Sequence, residues 1–170
     1  MRISPFYYLI AAAVLIFLIK TIKRVSVSLL ITYCFLVIAT TVLSRSSQNT
    51  ATINLTPFRL FQVGEWWMKQ DLMLQIKANI LMFVPIGFLI MQAGYEIKRK
   101  WIRILYVLLT LLTCFLFSIS IEYMQYMLHR GYCEADDVIH NTIGTVLGIA
   151  FYRIKSLIVD ELKKRNIFNT

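Results

Sequence analysis

The sequence predicts an all-α, polytopic integral membrane protein, a helical bundle of about five transmembrane helices. Hydrophobic residues make up 58% of its 170 positions, charged residues only 16%, and the mean hydropathy is +0.66. Soluble domains usually contain about 45–50% apolar and about 25% charged residues. The apolar residues also fall into long runs separated by short basic turns, which is the pattern of consecutive membrane spans. We therefore expect one membrane domain over residues 1–170.

The first two apolar segments cover residues 3–19 and 25–43. The first is short for a span, and a signal peptide is the alternative interpretation. Only Arg2 precedes its apolar run, and no small-residue cleavage site follows that run. Because a signal peptide normally has both features, a membrane helix is favoured.

Residues 44–74 form the long polar connection of the chain, which is predicted to lie outside the cell or at the membrane surface. Its adjacent tryptophans, Trp66 and Trp67, suit the headgroup region and favour a short interfacial helix.

Three more spans are predicted at residues 75–95, 102–128 and 136–152, followed by a basic cytoplasmic tail at 153–170. The third span of the chain contains Pro85, which lacks a backbone N–H and is expected to kink the helix.

The basic residues predict the orientation. The turn after the first segment, the turn after the third and the tail hold twelve of the 18 Lys and Arg residues. With five spans these regions lie on one side, which the positive-inside rule makes cytoplasmic. The N-terminus is then outside and the C-terminus inside. Attraction of these basic regions to anionic lipids explains most of the net charge of +9, so no nucleic-acid partner is predicted.

This orientation brings polar residues of three spans to the depth of the outer leaflet. An ionisable side chain within a span is costly unless it faces the protein interior or a water-filled cavity. We therefore predict a functional polar cluster of Asn79, Glu122, Gln125, Glu134, Asp137 and Asn141.

Structural interpretations stand beside the functional one. Glu122 is either a ligand-facing carboxylate or a carboxylate bonded to Asn79 or Asn141. Asp136 begins the fifth span, where an acid caps a helix and favours its dipole, and we interpret it as a cap. Asp137 shares a helix face with Asn141 and is interpreted as functional. His140 is interpreted as a structural hydrogen bonder.

Two arginines, Arg59 and Arg130, flank this layer. Each is a candidate contact for the phosphate or carboxylate of a headgroup, and the alternative is an arginine anchored at the interface.

A glycine stripe on the fifth span predicts close helix packing. Gly144 and Gly148 form a small-xxx-small pair, and Pro85 and Gly87 of the third span are further packing candidates. A helix–helix partner or a homo-oligomer is the alternative use of the stripe. We expect Gly148→Leu to destabilise the protein and Gly148→Ala to be mild.

No metal and no cofactor are predicted. Glu122, Glu134 and Asp137 are oxygen ligands of the kind that suit Mg²⁺, Ca²⁺ or Mn²⁺, but no HxxH or ExxH spacing accompanies them. The chain has no Ser-His-Asp order, GxSxG or phosphate-binding loop, so whether it is an enzyme is left open and a non-enzymatic role is favoured. Its three cysteines show no disulfide framework and are interpreted as small apolar residues.

Four motifs occur in order between about residues 50 and 152. They are NLTPF at 54–58, NILMFVPIG at 79–87, SISIEYMQ at 118–125 and DDVIHNTIG at 136–144. This ordered set resembles the VanZ-like family of membrane proteins. The positions that match the family pattern are Asn79, Pro85, Gly87, Glu122, Gln125, Asp137, Asn141 and Gly144, and the family often has Asp where this chain has Glu134.

The resemblance implies a multi-pass protein of the bacterial cell membrane that is linked to low-level resistance to teicoplanin-type glycopeptides. One hypothesis is a non-enzymatic protein that binds an outer-leaflet component, such as a lipid-linked cell-wall intermediate or a lipoglycopeptide. The alternative is a small integral-membrane enzyme acting on a polyprenyl or phospholipid headgroup, with Glu122 and Asp137 as acid/base or metal-holding groups. Membrane lipids are expected partners in both cases.

Overall fold

The computed structural model describes residues 25–47, 52–94, 97 and 99–168, with side chains as far as residue 165. Four of its helices are long and apolar enough to cross a membrane, which confirms the predicted all-α membrane class. The predicted first span, residues 3–19, lies outside the described residues. The elements in chain order are α1 (Val25–Ile38, continued by a π-helical turn at Ala39–Leu43), β1 (Thr52–Asn54), α2 (Arg59–Gln62), α3 (Trp66–Ala93), α4 (Lys100–Met127), β2 (Tyr132–Glu134) and α5 (Ala135–Phe168).

Two long helices extend beyond the spans expected from hydropathy. α3 begins at Trp66 rather than near Gln75, so both tryptophans lie on its first turn and not on a separate interfacial helix. α5 continues through the basic tail to Phe168. At about 1.5 Å per residue, α3 is about 42 Å long and α5 about 51 Å, against a hydrocarbon core of about 30 Å. The additional turns therefore project past the hydrocarbon.

Pro85 lies inside α3 without ending it. A proline removes one backbone donor from the helix, and neighbouring helices can supply the missing hydrogen bonds in a membrane. Here the Tyr33 hydroxyl of α1 donates over 3.1 Å to the Met82 carbonyl, which is next to the Leu81 carbonyl that an N–H at position 85 would have met. This bond ties α1 to α3 at the proline.

The four long helices run alternately up and down, so the bundle has two distinct ends. α1 and α4 end, and α3 and α5 begin, at the end that carries the polar residues predicted above; we call this the cluster end. Lys100, Arg103 and Arg153 lie at the other end, the basic end. The core between the ends is built from Val37, Val42, Phe83, Ile86, Cys114 and Ile121. Many other apolar side chains are exposed on the outside of the bundle, where lipid would contact them.

Three glycines let α3 and α5 approach each other closely. Gly144 and Gly148 lie against the carbonyl oxygens of Ile80 and Val84, and Gly87 lies against the carbonyl oxygen of Thr145. A Cβ atom at any of these glycines would overlap the main chain of the facing helix. The glycine stripe is therefore buried within the chain, and a partner protein would need another surface.

A short parallel β-pair completes the cluster end. Thr52, Ile53 and Asn54 of β1 pair with Tyr132, Cys133 and Glu134 of β2. The pair joins the connection after α1 to the loop between α4 and α5. Strands of three residues carry too little periodicity to be predicted from sequence, and this pair was not.

Candidate functional site

Four acidic side chains are buried together where α4 ends and α5 begins. Glu122 is 3% exposed, and Glu134, Asp136 and Asp137 are each 7% exposed. We call these four residues the carboxylate cluster. The structure thus places Glu122, Glu134 and Asp137, three members of the polar cluster named from the sequence, in one site with Asp136.

Glu122 holds β2 against α4. Its Oε2 atom accepts a hydrogen bond from the backbone N–H of Glu134 over 2.9 Å. The structural partner of this carboxylate is therefore a main-chain amide, and neither Asn79 nor Asn141 as the sequence suggested.

A single glutamine bridges two further acids. The Nε2 atom of Gln75 on α3 donates to Glu134 Oε2 over 3.2 Å and contacts the two carboxylate oxygens of Asp137 over 3.1 and 3.3 Å. An amide nitrogen carries only two hydrogens, so it cannot satisfy all three oxygens at once. Sequence reasoning missed Gln75, although it lies one helical turn before Asn79 and so on the same face.

Asp136 acts as a cap, but not for the helix it begins. Its two carboxylate oxygens accept the backbone N–H groups of Phe58 over 2.6 Å and of Arg59 over 2.9 Å. Phe58 has a positive φ of 60° and directly precedes α2. Its hydrogen bonds therefore fix the left-handed turn that leads into α2, and not the start of α5 as the sequence predicted. The acid still lies in the first turn of α5, where a negative charge favours the helix dipole.

The two predicted headgroup arginines are already engaged. Arg59 forms an ion pair with Glu134. Arg130 donates to the carbonyl oxygens of Val42 over 3.3 Å and Leu43 over 2.9 Å, at the end of the π-helical turn of α1. These contacts use only part of the five N–H donors of each guanidinium.

A third arginine, which sequence reasoning did not select, lies near the cluster. The exposed Arg45 follows α1, and its guanidinium packs beside Gly131. It is close enough to interact electrostatically with Glu122 and Asp137 without forming an ion pair with either. No periodic signal marks Arg45, because it lies in an irregular polar connection.

Below the acids lies a layer of buried amides. Asn141 donates to the Ser118 hydroxyl over 2.8 Å, and Gln125 donates to the Thr41 carbonyl over 3.2 Å. Four buried polar atoms of this region have no protein hydrogen-bond partner among the described residues: Asn79 Nδ2, Gln125 Oε1, His140 Nδ1 and Asn141 Oδ1. Buried polar atoms are normally paired, so these four retain capacity for water or a ligand.

Residues 52–62, which we call the cover segment, lie over the cluster. β1 pairs with β2, Asp136 holds the turn before α2, and Arg59 reaches Glu134. The cavity that remains between this segment and the acids has a volume of about 10 Å³, which is room for about one water molecule. A larger ligand does not fit into this cavity unless the cover segment moves.

The carboxylate cluster affects the pKa of Cys133, which lies in β2, outside the membrane-spanning helices. The pKa of this thiol is raised above its ordinary value, first by burial and then by the negative charges of Glu122, Asp137 and Glu134. A deprotonated thiol next to three carboxylates would add a further negative charge, which is why the neutral form is favoured. Across the part of the chain that the structure describes, no three His, Cys, Asp or Glu side chains are arranged to hold a metal ion.

Comparison with known proteins gives one match. A family model described as VanZ/LLP1 matches residues 6–157 of the chain. Neither the curated proteins nor the solved structures give a match.

Proposed function

Because the chain belongs to the VanZ/LLP1 family, we propose that it is a non-enzymatic protein of the bacterial cell membrane that binds an outer-leaflet envelope component. This binding lowers the susceptibility of the cell to teicoplanin-type glycopeptides. The cluster end faces outward in this proposal, as the positive-inside rule predicts.

The observation that carries the proposal is the imbalance of charge in the carboxylate cluster. Four acids are buried, and among the described residues only Arg59 forms an ion pair with any of them. Buried carboxylates are unfavourable unless they gain a proton, a cation or hydrogen-bond donors. A ligand that brings donors would therefore be bound more strongly than one that brings negative charge.

The buried acids favour one class of ligand. Hydroxyl and ammonium groups donate hydrogen bonds to carboxylates, and such groups occur on the sugars of lipid-linked cell-wall intermediates and of lipoglycopeptides. An anionic headgroup fits less well, since four buried acids would oppose it. The ligand that we propose is accordingly a sugar- or amine-bearing envelope component.

In this proposal the ligand reaches the carboxylate cluster by displacing the cover segment. Its apolar side chains Leu55, Phe58 and Phe61 are 70%, 56% and 83% exposed, which suits a segment that lies in the membrane interface. Polar contacts fasten it at Asp136 and Glu134, and a donor-rich ligand can replace these contacts one for one. Binding and displacement of the cover segment are therefore coupled.

The experiment is a pair of isosteric changes, Glu122→Gln and Asp137→Asn, expressed in a susceptible strain that lacks the chromosomal copy. Each amide oxygen can still accept the hydrogen bond that the carboxylate accepts, from Glu134 N–H or from Gln75. Both variants should therefore express and melt like the unmodified protein while losing protection against teicoplanin. Asp160→Asn, which removes an exposed acid from the distant part of α5, is the matched control and should protect fully.

The outcomes separate the hypotheses. If both cluster variants remain folded and protective, the carboxylate cluster is not the binding site. If both unfold, the acids are structural. If the purified protein converts a polyprenyl or phospholipid substrate to product, and the two variants do not, the enzymatic alternative replaces the binding proposal.

A further inference from the structure

A second candidate site lies at the basic end, on the opposite side of the bundle from the carboxylate cluster. A groove of about 580 Å³ runs between α3, α4 and α5. This volume falls within the range of about 300–1,000 Å³ that is typical of ligand pockets. Its inner wall is apolar and includes Met91, Val107, Val146, Ile149 and Ala150.

Among the residues that the structure describes, three cations line the same groove: Lys100 and Arg103 of α4 and Arg153 of α5. Arg103 is held in place because its Nε and Nη2 atoms donate to the Ile97 carbonyl oxygen over 3.3 and 3.1 Å. A guanidinium has five N–H donors, so this contact leaves others for a ligand. Arg103 and Arg153 both lie close enough to the Tyr152 phenol to interact with it electrostatically, as does Asp160, the acid further along α5. The groove therefore combines a cationic mouth with an apolar wall.

We propose that this groove binds one anionic glycerophospholipid of the inner leaflet. The phosphate lies among Lys100, Arg103 and Arg153, and an acyl chain lies along the apolar wall between α4 and α5. Charge complementarity commits the site to an anionic lipid, because basic pockets between transmembrane helices on the cytoplasmic side favour such headgroups. A soluble phosphate would leave the apolar wall unused, and a zwitterionic lipid would gain less from three cations.

The test is native mass spectrometry of the purified full-length protein in detergent, titrated with phosphatidylglycerol or with phosphatidylcholine of the same chain length. One phosphatidylglycerol should bind more tightly than the first phosphatidylcholine. The double variant Lys100→Gln/Arg153→Gln should weaken phosphatidylglycerol binding by roughly fivefold for each lost cation, or about 25-fold in all. Both residues are exposed, so the variant is expected to fold.

The matched control is Lys163→Gln/Lys164→Gln, which removes the same charge from exposed positions further along α5 that do not line the groove. It should bind phosphatidylglycerol like the unmodified protein. Equal losses in the two double variants would mean general surface attraction and would overturn the site, as would equal affinity for both lipids.

A second variant tests the apolar wall independently of charge. Ala150→Phe places a large side chain in the groove from an exposed position, and it should weaken binding of the first phosphatidylglycerol. Unchanged binding in Ala150→Phe contradicts the placement of the acyl chain. A lipid-free dimer that Ala150→Phe dissociates would assign the groove to a second copy of the chain and overturn the proposal.

Discussion

Gly148→Ala adds a single methyl group, and the structure predicts that it strongly destabilises the folded protein. A Cβ atom at Gly148 would lie 2.8 Å from the Phe88 nitrogen and 3.1 Å from the Val84 carbonyl carbon, and closer still to the Val84 carbonyl oxygen. Real Cβ atoms essentially never approach within 3.0 Å of another heavy atom, and these neighbours are main-chain atoms that cannot rotate away. The sequence alone predicted that alanine would be mild here, and the geometry reverses that expectation.

The magnitude follows from the separation that α3 and α5 must undergo. Overpacking a well-packed interior lowers the free energy of unfolding by about 1–3 kcal/mol. Because the neighbours of Gly148 are rigid main-chain atoms, we expect Gly148→Ala to cost about 3 kcal/mol. For a chain of this size that corresponds to a Tm lower by about 6–12 °C. Gly144→Ala meets the Ile80 carbonyl in the same way and should cost a similar amount. Because one movement of the helices relieves both clashes, the double variant should cost less than the sum of the two.

The assay is thermal unfolding of purified protein in a mild detergent, followed by the loss of the monodisperse peak on size exclusion. Gly64→Ala is the matched control, since a Cβ at Gly64 would have nothing within 4 Å. If Gly148→Ala melts together with Gly64→Ala, the backbones of α3 and α5 do not touch, and the packing described above is wrong.

Three further predictions concern the cluster end. Arg59→Met leaves Glu134 without its ion-pair partner and should lower the free energy of unfolding by about 2 kcal/mol, a value between those of exposed and buried ion pairs. In the same melting assay, adding Glu134→Gln should recover most of this loss. On intact cells, a membrane-impermeant maleimide should label native Cys133 when the other two cysteines are replaced, and should not label an Arg99→Cys variant without Cys133; the opposite pattern would invert the topology. The raised pKa of Cys133 lowers its thiolate fraction at neutral pH, so its labelling rate should keep rising with pH after that of a peptide thiol has levelled off, and Glu134→Gln should increase the rate at pH 7.5. A pH profile like that of a free peptide thiol would mean that the carboxylates do not act on Cys133.

The sequence predicted features that depend on periodicity and hydropathy. Glu122, Asp137 and Asn141 were expected at one depth because helical spacing and the direction of each span determine depth, and the structure buries all three at the cluster end. The small-xxx-small spacing predicted that a helix packs closely at Gly144, and the structure identifies that helix as α3. The depth of a residue along its span and the spacing of glycines on a helix face can each be determined from one helix without its neighbours.

Features that depend on contacts between distant segments were not predictable. The pairing of Asp136 with the turn at Phe58, the bridge by Gln75 and the β-pair each require the complete bundle before they exist. The start of α3 was missed for a different reason. Lys69 and Asp71 lower the local hydropathy, and hydropathy detects the part of a helix inside the bilayer, whereas the backbone remains helical beyond it.

The parallel pairing of β1 with β2 also constrains the order in which the protein is made. The two strands are separated along the chain by the whole of α3 and α4, so β1 leaves the ribosome long before its partner exists. Until α5 begins, Asp136 is absent as well, and the turn at Phe58 lacks the carboxylate that accepts its N–H groups. During synthesis, the cover segment therefore lacks β2 and Asp136 while α3 and α4 enter the membrane. A chain that stops before β2 contains most of the bundle but no assembled cluster end, which makes insertion of the last helix the step that completes the site.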